Sequence, residues 1–195
     1  MATTIESPHE TRTHLPGEFG VWLFIVSDMI IFGLFFILFV YDRALDVPLY
    51  SQSQATLNQA YGAVNTILML SSSWFVALAI HAARDNLSKF TSFFIMLAGV
   101  CGLAFVMLKF FEYSEKFSAG YFITSNDFYM YYYMLTGIHL LHVVIGIGVL
   151  TFLWHTSRTE SIDAKCVNTL ESGASFWHMV DMLWIVLFAL LYLMK

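Results

Sequence analysis

Charge is what this sequence has least of. Charged side chains make up 12% of its 195 residues, about half the fraction carried by a soluble globular chain. The 9 Lys and Arg and 14 Asp and Glu leave a formal net charge of −5, scattered rather than clustered. No basic stripe exists, so no nucleic-acid partner is expected. Cysteine is also scarce. Cys101 falls inside an apolar run and Cys166 in a polar segment. Neither a Cys-x-x-Cys nor a Cys/His zinc spacing can be built from them, and the plain reading gives neither thiol a chemical role. Phosphate loops, nucleophile elbows and catalytic triads are missing, as are fixed-period repeats and low-complexity tracts. The polar segment 1–18 lacks the short apolar run and small-residue cleavage site of a signal peptide.

Apolar residues fill the space that charge leaves. They reach 58% of the chain, 19 of them Phe, and collect in five runs at about 19–41, 65–83, 91–111, 131–155 and 174–194. A helix of about 20 mostly apolar residues crosses a bilayer core of about 30 Å. Only a backbone that satisfies its own hydrogen bonds survives there. The expected fold is an all-α membrane protein, five transmembrane helices in a single transmembrane domain over 1–195. No soluble portion is large enough to hold an active site.

Polar residues punctuate the runs. Pro16-Gly17-Glu18 precede helix one, and Asp42, Arg43 and Asp46 end it. The Gln/Ser/Asn-rich segment 51–59 reads as a loop, and Arg84-Asp85-Asn86 end helix two. Glu115, Lys116, Ser118 and Gly120 read as following helix three, and 156–173 connects helices four and five. With the N-terminus inside, Arg12, Arg84, Lys89, Arg158 and Lys165 fall on the inner side and Arg43, Lys109, Lys116 and Lys195 on the outer. Five against four, with tighter inner loops, points to N-terminus inside and C-terminus outside. Gly99 and Gly102, Gly146 and Gly148, and Ser71-Ser72-Ser73 are small residues that let helices approach closely.

Few polar groups lie within the runs. Asp28 is about nine residues into helix one, so about 14 Å deep at about 1.5 Å per residue. An acid there costs at least roughly 2.5–3.5 kcal/mol, and should be either protonated or face a polar partner. Lys109 and Glu112 are three apart at the expected end of helix three, which suggests a local ion pair with Lys109 snorkelling to the interface. His139 and His142, also three apart in helix four, suit hydrogen bonds between helices. Haem or a di-iron site would need matched ligands on facing helices, which the pattern does not offer. His178 and Asp181 stand three apart in the expected first turns of helix five, between Trp177 and Trp184. With His81 and Arg84 they suggest a buried polar cluster on the inner side. Trp22, Trp177 and Trp184 are candidates for lipid or interface contact.

Five motifs in order resemble subunit III of the haem–copper oxidases. They are Pro16-Gly17-Glu18-Phe19-Gly20-Val21-Trp22 leading to Ser27-Asp28; Asn65-Thr66; Phe111-Glu112-Tyr113-Ser114; Gly137-Ile138-His139-Leu140-Leu141-His142; and Trp177-His178-Met179-Val180-Asp181-Met182-Leu183-Trp184. The family usually has Glu where this chain has Asp28. Its seven-helix members carry two helices more, so the chain resembles the five-helix branch, which includes short accessory proteins of nitric oxide reductase. The resemblance implies a non-catalytic accessory subunit beside catalytic subunit I, in the cytoplasmic (inner) membrane. It implies support of assembly, proton uptake and sustained turnover in aerobic electron transport. No cofactor of its own is implied; haem and metal would sit in partner subunits, and phospholipid in a cleft. Asp28 and Glu112 become candidate proton-related carboxylates, and His81, His139, His142, His178 and Asp181 a candidate buried polar set. The alternatives are a nitric oxide reductase accessory subunit and, from another class, a small transporter or channel.

Overall fold

A computed structural model describes residues 19–159 and 164–194, and every element in them is helical. The segment 1–18 with its Pro16-Gly17-Glu18 punctuation, Asp163 and Lys195 lie outside the described residues. Helix α1 spans Phe19–Leu45, α2 Val47–Ala55, α3 Gln59–Arg84, α4 Ser88–Ser118, α5 Asp127–Thr159 and α6 Ala164–Phe188, which closes in a π-helical turn over Ala189–Leu193. All but α2 are long and apolar enough to cross a membrane.

The helices outrun the apolar runs that announced them. Segment 51–59 is not all loop, because α2 occupies most of it. Asp46 caps α2, its side chain accepting from the Leu49 N–H at 3.2 Å, and Pro48 stands in the first turn where no backbone donor is needed. Helix α4 continues through Glu115 and Lys116 to Ser118. It stops at Gly120, whose φ of 83° suits glycine. There the Tyr121 N–H reaches the Lys116 carbonyl at 3.0 Å and the Gly120 N–H that of Phe117 at 3.1 Å, a Schellman close. Asn86, with φ 58°, ends α3 in the same way. Helix α6 begins ten residues before the expected start, so His178 and Asp181 lie near its middle rather than in its first turns.

Helices α3, α4, α5 and α6 form a closed ring of neighbours, and α1 packs from outside on α5 and α6. Among the spanning helices α6 is the most enclosed and α1 the least. Trp177 fixes the closest approach. A Cβ on Gly146 of α5 would stand 2.6 Å from its ring, and one on Gly102 of α4 2.9 Å. Its indole N–H donates to Ser72 Oγ at 3.0 Å, and that hydroxyl donates to the Ala98 carbonyl at 2.8 Å. Small residues on α3, α4 and α5 thus surround one large ring of α6. Gly99 and Gly148 have open space where a Cβ would go. Trp177 and Trp184 are therefore core residues, 1% and 0% exposed, and not the lipid or interface contacts their type suggested. Outward surfaces carry Leu23, Ile30, Ile37, Ile67, Phe110 and Phe152, as lipid requires.

Candidate functional site

The polar residues singled out in the sequence separate into three places. The first joins α1 to α5. His142 Nε2 lies 3.2 Å from Asp28 Oδ1, and both residues are 9% exposed. His142 Nδ1 is 2.8 Å from the Ile138 carbonyl. A carbonyl only accepts, so Nδ1 carries a proton. At 3.2 Å, Nε2 and the carboxyl are placed to share one further proton. It resides on Asp28, giving two neutral groups, or on the imidazole, giving an ion pair. Either way the net charge is zero, which suits a low-dielectric surrounding. The Phe32 ring stands edge-on to the imidazole, centroids 5.7 Å apart.

The second place lies between α4, α5 and α6. Lys109 Nζ donates to Glu112 Oε2 at 2.8 Å and to the Tyr192 hydroxyl at 2.8 Å. Tyr132 donates to Glu112 Oε1 at 2.9 Å, and Tyr192 donates to the same oxygen. The ammonium is 4.9 Å from the Trp184 ring centroid and 5.3 Å from that of Tyr132, within cation–π range. Lys109 and Glu112 are 1% and 0% exposed, so Lys109 does not snorkel outward. The helix end expected near Phe111 is not there, and Lys109 has two full turns of helix beyond it. The sequence pattern does not single out Tyr132 and Tyr192; their signal is the unusual density of Tyr at the start of α5 and the last Tyr of the chain.

The third place is on α6 facing α3. Ser73 Oγ is 2.6 Å from His178 Nδ1, and Asp181 Oδ2 is 3.6 Å from the same nitrogen. Ser, His and Asp meet here without forming a triad. A triad needs the acid on one ring nitrogen and the nucleophile on the other, whereas both converge on Nδ1. Asp181 is 3% exposed and neither of its oxygens has a hydrogen-bond partner among the described residues.

His81 joins none of these places; it is exposed near the end of α3. Arg84 pairs instead with Glu171 at 2.7 Å. His139 does not make the hydrogen bond between helices expected of it. Both its ring nitrogens lack partners among the described residues, and the ring packs against Phe105 and Trp184 at 5.7 and 5.4 Å. His139 and His142 therefore face different helices, His142 meeting α1 and His139 meeting α4 and α6. Trp22 is half-buried on α1. Among the described residues no three His, Cys, Asp or Glu side chains converge as metal ligands.

The family described as cytochrome c oxidase subunit III matches residues 1–195. The chain is 31% identical to a Synechocystis protein named cytochrome c oxidase subunit 3, over 100% of this chain and 88% of that one. It is 22% identical to the Buchnera aphidicola protein named cytochrome bo(3) ubiquinol oxidase subunit 3, over 96% and 91%. It is 26% identical to a Staphylococcus epidermidis protein named probable quinol oxidase subunit 3, over 98% and 94%.

Proposed function

Because this chain belongs to the cytochrome c oxidase subunit III family, we propose that it is a non-catalytic accessory subunit of a haem–copper terminal oxidase, seated beside catalytic subunit I in the cytoplasmic membrane. It spans that membrane with its N-terminus inside and its C-terminus outside. It supports assembly, proton uptake and sustained turnover, and leaves haem, copper and iron to its partners. The names of the relatives favour an oxidase over a nitric oxide reductase as the assembly served.

The observation that carries the proton-supporting part is the Asp28–His142 pair. It can pass one proton between carboxyl and imidazole without changing net charge, at a depth where a lone acid is costly. Bound phospholipid belongs to the same reading. A groove of about 420 Å³ between α1, α5 and α6, walled by Val21, Phe24, Phe152, Leu153 and Phe176, has the apolar lining an acyl chain needs.

An affinity tag on this chain tests the reading. Gentle detergent extraction should recover it with a haem-bearing subunit, and the released chain should hold no stoichiometric haem or metal. Recovery without any haem protein, or metal that disappears in a His139→Ala, His142→Ala double variant, would contradict it.

A further inference from the structure

The polar chemistry at His178 is left incomplete by the bundle itself. His178 lies thirteen residues after Lys165 and fifteen before Leu193 in the α6 span, so about 20 Å from either end at about 1.5 Å per residue. That is the centre of a bilayer core about 30 Å thick. Its side chain is 41% exposed. Nδ1 is taken by Ser73, and Nε2 has no partner among the described residues. The surface around it is apolar: Leu70 and Trp74 on α3 are 48% and 63% exposed, and Met182 and Ile185 on α6 are 58% and 38% exposed. Acyl chains offer no hydrogen-bond partner, and an unsatisfied polar group there costs several kcal/mol. The opening is not a frayed seam. Arg84–Glu171 and the Trp184 indole donating to Thr66 Oγ1 at 3.1 Å close α3 onto α6 on either side of it.

We infer that this outer face of the α3–α6 seam, centred on His178, docks a transmembrane helix of the catalytic partner, and that this helix presents a hydrogen-bonding side chain to the imidazole Nε2. The inference rests on the accessory-subunit reading and adds the surface and the chemistry of contact. Hydrogen bonds between helices are the interactions that polar side chains supply within a membrane. Here Ser73 holds the imidazole Nδ1 from the bundle side, with Asp181 3.6 Å away, while its other nitrogen is left to the outer side. Helix α6 then becomes buried on all sides, which accords with its being the most enclosed helix already.

A photoreactive benzophenone side chain placed at Met182, one turn from His178, should cross-link to a haem-bearing subunit in native membranes. The same group at Leu103, on the outer face of α4 and 53% exposed, should not. His178→Leu should retain this chain about tenfold less well when the complex is diluted, the effect of one lost buried hydrogen bond. His178→Gln, which keeps a donor and an acceptor, should restore most of that retention. If the chain co-purifies with the haem subunit but Met182 captures nothing, captures a second copy, or is outdone by Leu103, the docking face is wrong and the accessory reading survives. If the chain does not co-purify with any haem subunit, both are overturned.

Discussion

At Glu112 the carboxylate accepts from Lys109, Tyr132 and Tyr192, and both charged residues are buried. Such a pair is worth little relative to an apolar replacement, yet breaking it strands a charge, at about 3–5 kcal/mol. Glu112→Gln should therefore sharply lower membrane abundance and the melting temperature in detergent. The double variant Lys109→Met, Glu112→Gln should regain most of both. A single variant as stable as the parent would mean the ammonium reaches water. Asp28→Asn differs in kind. The amide can still donate to His142 Nε2, so assembly should be normal, but it cannot pass a proton on. Oxygen uptake followed over many turnovers should decline sooner than in the parent; an unchanged time course would leave Asp28 a structural link between α1 and α5. Asp28 was legible as the acid interrupting an apolar run. Its partner was not, because Asp28 and His142 are far apart in sequence and only the packing of α1 on α5 brings them together. His139 and His142 look equivalent in sequence and are not, since they point toward different helices.

Helix ends were the least legible elements. Charge normally marks where a helix leaves the membrane, so Lys109, Glu112, Glu115 and Lys116 read as the end of one. The chain instead buries Lys109 and Glu112 against each other and sends Lys116 Nζ to the Thr56 carbonyl at 2.5 Å, and α4 runs on to its glycine stop. Tryptophan misled for a related reason. Trp177 and Trp184 carry the mark of interface residues, but small partners on the facing helices make room for Trp177 and an indole hydrogen bond holds each ring. That arrangement yields a contrast between two glycines of α5. Gly146→Ala should destabilise by about 1–3 kcal/mol, because the new methyl meets the Trp177 ring. Gly148→Ala meets nothing within 4 Å and should be neutral or slightly stabilising through helix propensity. Thermal melts of the two variants decide it; equal shifts would mean that Trp177 does not set the α5–α6 distance.

For the whole molecule the sequence was most informative about class. Five apolar runs gave five helices able to span, because bilayer thickness and backbone hydrogen bonding leave few alternatives, and the resemblance of the ordered motifs to subunit III agrees with the family match. The described side chains then group into the Asp28–His142 pair, a sealed ion pair and a half-open imidazole. A subunit of this make-up should govern how long its partner works rather than whether it works. The most direct test is oxygen consumption by the purified complex before and after selective removal of this chain, with haem and copper counted in both. The depleted complex should keep its metals and its initial rate but inactivate after fewer turnovers. Loss of haem or copper with the chain, loss of the initial rate, or an unchanged lifetime would contradict the account.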